Sequence, residues 1–261
     1  MTISSRRHPL VARFRGAARG DTAAVMLLDG VHLVADALAA NVTVTLAAVT
    51  TASQEKRDIH ELTIALSRHG VEIATVTSAV MEAISPVHTP SGIVALAHRP
   101  ASRANDLYAG PSPLAVVVVD VQDPGNVGAI VRVAEAAGAT GVVAAGMSAN
   151  PFGWKALRGS MGSALRVPIA GGDADAAVDA AKKHRCRIVA AVPRSGRPPF
   201  DVDLRGPLAL LVGGEGAGLP AALTASADEH ITIPMKSPVE SLNAAVTAAV
   251  VLYEARRQRI M

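Results

Sequence analysis

A turn sequence followed by an arginine is the first feature of this chain with chemical potential. Asp-Pro-Gly-Asn-Val-Gly at residues 123–128 follows the apolar run LAVVVVDV, and it predicts a tight turn with Asn126 as the N-cap of a helix. Arg132 lies about two turns into that helix, flanked by valines, and suggests a bound partner. Taken alone, a surface arginine on an amphipathic helix is the simpler explanation.

A glycine-rich loop with one acid is the second candidate. Gly-Gly-Glu-Gly-Ala-Gly at residues 213–218 directly follows the apolar run LALLV. Glycines let a backbone approach a ligand closely, and residues 216–221 also match the loose GxGxxA pattern of dinucleotide-binding loops. A turn without a ligand would need the same glycines. Such a turn would not need a carboxylate, so Glu215 is a candidate functional residue.

The third candidate segment leads into a final helix. Ile-Pro-Met at 233–235 is followed by Glu-Ser-Leu-Asn-Ala-Ala at 240–245, and a helix is predicted over residues 240–258. Ser241 or a neighbour would cap that helix. Capping alone does not explain Asn243, which this prediction places in the first turn of a helix rich in alanine and valine.

All three segments belong to a chain region that alternates strand and helix patterns. The runs LAVVVVDV, TGVVAAG, RIVAAV, LALLVGG and HITIPM predict five strands after residue 113. Strands that alternate with helices predict a parallel sheet covered on both faces. Ligands of such sheets bind beyond the carboxyl ends of the strands, which is where the candidate segments fall.

A proline-rich stretch divides the chain. PASRANDLYAGPSP at residues 100–113 predicts a linker, and a smaller α/β pattern precedes it. The predicted domains are therefore residues 1–99 and 114–261. The first twenty residues carry five arginines and no acid, and these could neutralise nucleic-acid phosphates or belong to a solvated terminus. They are Arg6, Arg7, Arg13, Arg15 and Arg19.

Composition excludes several classes of protein. Of the 261 residues, 50% are hydrophobic and only 2% aromatic, which suits buried strands under alanine-rich helices. Charges, Gly and Pro interrupt every long apolar stretch, and the N-terminus lacks the apolar segment of a secretion signal, so we expect a cytoplasmic protein without a membrane span. The single cysteine, Cys186, excludes an internal disulfide and a multi-cysteine zinc site, and we predict no metal site.

The three candidate segments, in this order, resemble the signature motifs of the SpoU/TrmH family of RNA 2′-O-ribose methyltransferases, in the SPOUT superfamily. KALRGSMGS at 155–163 resembles the family's K-x-x-R-x-S-x-G segment, and the likeness extends from Leu114 to the C-terminus. Earlier, LLDGVHLVADAL and ISPVHTPSGIVAL resemble the small RNA-binding domain of many members. Two of the candidate segments depart from the pattern. Gly214 replaces a frequent Asn, and alanines follow Asn243 where Val-Ser is frequent.

The resemblance implies an α/β fold. Its C-terminal parallel-sheet domain would contain a deep trefoil knot, and a small ribosomal-protein-like α/β domain would precede it. It also implies a homodimer whose active site is completed across the interface. The implied cofactor is S-adenosylmethionine, bound mainly by backbone groups at five positions. These are Gly213, Gly214, Ile233, Met235 and Leu242.

The implied activity is methyl transfer to a ribose 2′-hydroxyl of structured RNA, with 23S-type large-subunit rRNA favoured over tRNA. The implied catalytic residues are Asn126, Arg132, Glu215, Ser241 and Asn243. The family's proposed base is the arginine that matches Arg132, but a guanidinium does not lose its proton in proteins. We therefore expect Arg132 to hold an RNA phosphate, with Glu215 orienting Arg132 or Asn126.

Two other functions compete with this one. A nicotinamide-dependent oxidoreductase would use the GxGxxA match, but it needs a glycine fingerprint after the first strand and an acid about twenty residues later. Asp228 and Glu229 lie too close to the glycine loop for that role. A catalytically inactive RNA-binding relative is the other alternative, and the joint presence of the catalytic set argues against it.

Overall fold

The computed structural model describes residues 2–102 and 104–260. The described residues up to Pro100, together with Phe152–Arg166, form one compact unit (unit 1). Those from Ala101 to Pro151 and from Val167 onwards form the other (unit 2). Each unit has its own sheet, which confirms the predicted α/β architecture.

Unit 1 is built on a mixed sheet of order β1-β4-β2-β3, in which β4 is antiparallel to both neighbours and β2 is parallel to β3. The strands are β1 (Val25–Asp29), β2 (Val44–Thr50), β3 (Glu72–Val76) and β4 (Ile93–His98). The helices are α1 (Pro9–Arg19), α2 (Val31–Ala39), α3 (Thr51–Gln54), α4 (Arg57–Arg68), α5 (Ser78–Ile84) and α7 (Trp154–Ser160).

Helix α1 contains three of the five arginines at the start of the chain, and Arg6 and Arg7 lie in the turn before it. The helix begins with Pro9 in its first turn, and the backbone N–H of Leu10 donates to the ring Nδ1 of His8. It ends at Arg19 and is capped by Gly20, whose φ of 79° suits glycine. The apolar face of α1, which includes Phe14, is buried in the core of unit 1. This segment is therefore an ordered amphipathic helix.

The segment Phe152–Arg166 groups with unit 1, although the predicted boundary assigns it to the second domain. It contains α7 and a 3₁₀ turn, Ser163–Leu165. Trp154 packs against the core cluster that also holds Phe14. A tertiary contact of this kind leaves no local periodicity in the sequence, so the strand and helix patterns could not reveal it.

Unit 2 contains a six-stranded sheet of order β10-β8-β9-β5-β6-β7. All its strand pairs are parallel, which confirms the predicted parallel sheet. The strands are β5 (Leu114–Val119), β6 (Gly141–Ala145), β7 (Ile169–Gly172), β8 (Arg187–Ala191), β9 (Leu208–Gly213) and β10 (Glu229–Ile231). The helices are α6 (Pro124–Ala137), α8 (Ala174–Lys183), α9 (Ala221–Ala225) and α10 (Ala244–Ile260).

The order of strands fixes where a ligand would bind. The chain runs outwards from β5 through β6 to β7 on one side, whereas β9, β8 and β10 lie on the other side of β5. The strand order therefore reverses between β5 and β9. In parallel α/β sheets, ligands bind at such a switch point, outside the carboxyl ends of the strands.

Unit 2 contains two elements that the sequence patterns did not predict. Strand β7 was not predicted, because Ile-Ala-Gly-Gly is short and half glycine. The predicted linker contains a 3₁₀ helix, Ala104–Tyr108, and its residues Leu107 and Tyr108 are buried in the core of unit 2. Part of the linker segment therefore packs as core.

Helices α6 and α10 pack against each other. The buried faces of both are rich in small residues, among them Gly128, Ala134, Ala244 and Ala248. Small side chains allow this close approach, which gives the alanines after Asn243 a packing role. Of the helices in the described part of the chain, none has the length and apolar composition that crossing a bilayer requires. The trefoil knot stays a prediction.

Candidate functional site

The three candidate segments emerge from the carboxyl ends of β5, β9 and β10. Since β5 and β9 are hydrogen-bonded neighbours in a parallel sheet, their following loops start side by side. The third segment follows β10, on the β9 side of the sheet. The sheet therefore brings together residues that are more than one hundred positions apart in the sequence.

Asn126 lies within the first turn of α6, and the prediction that it is the N-cap is wrong. The cap is Asp123, whose carboxylate accepts from the backbone N–H of Asn126 at 2.8 Å. Pro124 occupies the first helical position, which its fixed φ favours. Because Asp123 performs the capping, the side-chain amide of Asn126 is available for other contacts. It donates to Glu215.

Asn243 is the cap of α10, so the prediction of a helix beginning at residue 240 is also wrong. Its Oδ1 accepts from the backbone N–H groups of Ala245 at 2.9 Å and Val246 at 3.3 Å. The helix accordingly begins at Ala244. This geometry directs Nδ2 the other way, where it donates to Asn126 Oδ1 at 3.0 Å and to Glu215 Oε1 at 3.3 Å.

Asn126, Glu215 and Asn243 thus form one hydrogen-bonded cluster, the motif cluster, with one residue from each candidate loop. Glu215 was expected to orient Arg132 or Asn126; it accepts from Asn126 and from Asn243, and the orienting role stays a prediction. Arg132 is exposed on α6 and has no hydrogen-bond or ion-pair partner within residues 2–102 and 104–260.

A cavity of about 390 Å³ lies at this edge of the sheet. All five residues expected to bind the cofactor line it, as do three of the expected catalytic residues, Glu215, Ser241 and Asn243. Asn126 and Arg132 are not among its lining residues. Residues missed by the sequence analysis also line it, including Ala191, Val192 and Pro193 at the carboxyl end of β8 and Thr247 and Val251 on α10. The position of 191–193 at a parallel strand's carboxyl end was the available signal.

Close backbone packing explains two of the glycines. A Cβ atom on Gly214 would lie 2.1 Å from the carbonyl oxygen of Asp120, and one on Gly213 would lie 2.3 Å from the carbonyl carbon of Gly218. Neither distance is sterically allowed, so both positions require glycine in this backbone. The Asn that is frequent at position 214 in the resembled family therefore has no room here.

The cavity suits a nucleoside-like ligand such as S-adenosylmethionine. Its volume is in the range of small-molecule pockets. Val212, Ile231 and Leu242 offer apolar walls, and the glycine loop exposes backbone where side chains are absent. Within the described residues, no group of three or more His, Cys, Asp or Glu side chains is placed to hold a metal ion.

The carboxyl groups of unit 2 with the largest pKa shifts lie away from this cavity. Hydrogen bonds from Arg257 and Gln258 lower the pKa of Glu254 to about 2. Hydrogen bonds from Arg205 likewise lower the pKa of Asp203 to about 2. Neither acid lines the cavity, so these ion pairs are structural features of the surface.

Two family models match different parts of this chain. A model of the SpoU rRNA Methylase family matches residues 113–253, which include all three candidate loops. A model of the MRM3-like substrate binding domain matches residues 18–95, within unit 1.

Curated relatives extend the similarity over most of the chain. The 23S rRNA (guanosine(2553)-2′-O)-methyltransferase RlmP of Bacillus subtilis (strain 168) is 30% identical over 231 residues, 88% of each chain. The 23S rRNA (uridine(2479)-2′-O)-methyltransferase of Streptomyces viridochromogenes is 36% identical over 196 residues, which cover 72% of this chain and 68% of that one.

Solved structures of methyltransferases have the same fold. The AdoMet-bound rRNA methyltransferase from Sinorhizobium meliloti has a TM-score of 0.87 at 27% identity and covers 98% of this chain and 97% of its own. The SpoU methyltransferase AviRb from Streptomyces viridochromogenes, in complex with the cofactor AdoMet, also has a TM-score of 0.87 at 27% identity. That match covers 97% of this chain and 99% of AviRb.

Proposed function

The chain belongs to the SpoU rRNA methylase family, and we propose that it methylates ribose 2′-hydroxyl groups of large-subunit rRNA with S-adenosylmethionine as the donor. The observation that carries this proposal is the motif cluster, two of whose members line a glycine-edged cavity at the switch point of the sheet. Relatives named as 23S rRNA 2′-O-methyltransferases support the choice of rRNA.

The bound donor supplies a methyl group already activated by its sulfonium, so the protein has to align the ribose and allow the hydroxyl proton to leave. We assign cofactor binding to the five expected lining residues of the cavity. They are Gly213, Gly214, Ile233, Met235 and Leu242. Ser241 lines the same cavity, is exposed, and has no hydrogen-bond partner in the described chain. A hydroxyl in this state is available to the nucleotide.

Arg132 is assigned to the RNA phosphate beside the target ribose. Its guanidinium is exposed and unpaired in the described chain. A planar guanidinium binds phosphate with two parallel hydrogen bonds. Arg132 would therefore fix the nucleotide, and the proton would leave through phosphate or water. Asn126 and Asn243, which come from two different candidate loops, would position the nucleotide. Glu215 would fix their side-chain amides by accepting a hydrogen bond from each.

Substrate RNA is assigned first to the N-terminal part of the chain, residues 1–99, with 100–113 as the connection and 114–261 as the catalytic part. The match of residues 18–95 to a substrate binding domain supports this. Segment 152–166 adds Lys155, Arg158 and Arg166 to unit 1, and it contains no acid. The enzyme would work in the cytoplasm, where its RNA is.

A homodimer completes the proposal. Helix α10 exposes Val246, Val250 and Tyr253 at spacings of four and three residues, with 47%, 41% and 51% of their surfaces accessible. These spacings place the three side chains on one face. Contiguous apolar surface of this kind marks interaction sites. Light scattering should give twice the chain mass, and Val250→Asp should shift it towards the monomer.

The decisive experiment uses the full chain, radiolabelled S-adenosylmethionine and three RNAs: 23S rRNA, 16S rRNA and bulk tRNA. Nucleoside mass spectrometry should find a 2′-O-methylated nucleoside in 23S rRNA alone. Methyl groups found only in tRNA would refute the substrate assignment. Methyl groups found only on bases would refute the reaction itself.

A further inference from the structure

Glu215 is the single ionisable side chain among the described residues that line the cavity. The remaining lining residues are apolar residues, glycines and three neutral polar residues, Ser241, Asn243 and Thr247. A cavity for a charged ligand therefore presents one full negative charge and no cation.

The charge on Glu215 is held by neutral groups. Its Oε1 accepts from the side-chain amides of Asn126 and Asn243, and Glu215 has no ion pair in the described chain. Glu240 offers a contrast on the neighbouring loop. It pairs with Arg194 at 2.8 Å and does not line the cavity. Amide donors fix the carboxylate in place without cancelling its charge.

We infer that Glu215 gives this cavity its preference for a cationic methyl donor over the neutral product that remains after transfer. The inference rests on the proposed function and deepens it. During transfer the carbon–sulfur bond breaks and its electron pair stays on sulfur. The methyl carbon bonds to the ribose oxygen, and the hydroxyl proton leaves to solvent. The cofactor thus loses one positive charge, and Glu215 loses its attraction to it.

Electrostatics makes this effect measurable. A unit charge and a carboxylate a few ångströms apart interact strongly once a bound ligand has displaced most of the water between them. The carboxylate needs no reorganisation, because its two amide donors already hold it. Donor binding is therefore strengthened selectively, and the spent cofactor dissociates more readily than it would from a neutral cavity.

Calorimetry with three ligands tests the inference without measuring activity. S-adenosylmethionine carries a sulfonium, sinefungin carries a protonated amine at the equivalent position, and S-adenosylhomocysteine is neutral there. Glu215→Gln keeps an oxygen that accepts from the amides but removes the charge. We expect it to weaken binding of both cationic ligands about tenfold, equivalent to about 1.4 kcal/mol, and to change S-adenosylhomocysteine binding less than twofold.

Glu240→Gln is the matched control, because it removes an acid from the adjacent loop whose charge Arg194 already balances. It should leave the relative affinities of the three ligands unchanged. A second test needs no variant. Raising the salt concentration should weaken the wild-type affinity for the cationic ligands more than that for the neutral one.

The outcomes separate this inference from the proposed function. If Glu215→Gln weakens all three ligands equally, or none, and salt affects all three alike, Glu215 has no charge-selective role and the inference is wrong. In that case wild-type binding of S-adenosylmethionine still supports the proposed function. If the wild type binds none of the three ligands, the proposed function fails first.

Discussion

Polar side chains have different partners in the two units. In unit 2, Asn126, Glu215 and Asn243 contact one another across three loops, and two of them line a cavity. In unit 1, three of the five arginines of the N-terminal segment bond to groups of unit 1 itself. Arg6 donates to Ala79 O and pairs with Glu82, and Arg15 donates to Ala83 O.

The comparison shows that residue type alone does not identify a functional group. An arginine-rich segment suggested nucleic-acid contact, yet Arg6, Arg15 and Arg19 have structural partners, the last in Asp21. Arg132 looked like an ordinary surface arginine and has no partner within the described residues. A polar group that remains available after folding is the better candidate for a ligand contact.

Replacing Arg132 tests this distinction with the largest expected effect. Arg132→Ala should lower kcat/KM about 100-fold or more, the order expected for a group that stabilises a transition state. S-adenosylmethionine affinity, measured by calorimetry, should change less than twofold because Arg132 does not line the cavity. The melting temperature should also stay unchanged, because Arg132 makes no hydrogen bond or ion pair in the described chain that the substitution could remove.

Arg132→Lys separates phosphate binding from proton abstraction. It keeps the charge but loses the bidentate geometry, so activity should remain severely reduced. The pH–rate profile should keep the wild-type shape. A new rising limb near the lysine pKa, with activity recovering at high pH, would show that this side chain is the base.

Substitutions of Asn243 should have smaller effects, and two variants separate the effect on stability from the effect on activity. Asn243→Ala removes the cap of α10 and should cost about 1 kcal/mol of unfolding free energy, besides breaking the motif cluster. Asn243→Asp keeps a capping oxygen but replaces the amide donor with a second carboxylate beside Glu215. It should retain near-wild-type stability in urea titrations and still lose about tenfold in kcat/KM. A fully active Asn243→Asp enzyme would make the amide dispensable.

The sequence predicted those parts of the site that depend on local pattern. The buried strands β5 and β9 are continuous apolar runs, so they were predicted from the sequence. The loops with Gly, Asn and Glu directly follow these runs, and they were therefore correctly predicted to lie at the carboxyl edge of the sheet. The sequence did not predict which of several neighbouring polar residues caps each helix. Asp123 caps α6 in place of Asn126, and Asn243 caps α10, because position relative to the first helical N–H decides between similar side chains.

Other features were outside the reach of local patterns. The grouping of 152–166 with unit 1 rests on tertiary packing through Trp154. The contribution of Ala191–Pro193 to the cavity depends on strand order, because β8 lies between β9 and β10. Strand order is a property of the whole sheet, and five predicted strands allow many orders.

The arginines of the N-terminal segment allow a matched test. Arg7 and Arg13 have no side-chain partner in the described chain, whereas Arg15 has one. The double variant Arg7→Ala, Arg13→Ala should weaken rRNA binding several-fold and reduce the slope of log affinity against log salt by up to about two. Arg15→Ala should instead lower unfolding free energy by about 1 kcal/mol. Equal effects of both variants on RNA affinity would remove the distinction between paired and unpaired arginines.

Asp29 in unit 1, like Glu215, accepts a hydrogen bond from a neutral side chain, and it offers the smallest effect. It ends β1 and accepts from Ser85 Oγ at 2.5 Å. Burial raises the pKa of Asp29 above its ordinary value of 3.8, and this outweighs the lowering by the Ser85 hydrogen bond and the Arg158 charge. The folded state therefore binds the proton more tightly than the unfolded chain does.

The sign of the pH dependence follows from that difference. Well below pH 3.8 the carboxyl group is protonated in both states and gives no differential stability. As pH rises through the window between 3.8 and the raised pKa, the unfolded chain ionises first, so the native protein loses stability.

The Asp29→Asn variant has no carboxyl group at this position and therefore does not lose stability in this way. In urea titrations its stability relative to wild type should increase from pH 3.5 to pH 7, by less than the cap effect of Asn243. Ser85→Ala removes the hydrogen bond that lowers the pKa, so its stability should fall more steeply than that of wild type over the same range. A difference between Asp29→Asn and wild type that is constant with pH would mean that Asp29 keeps its ordinary pKa in the folded protein.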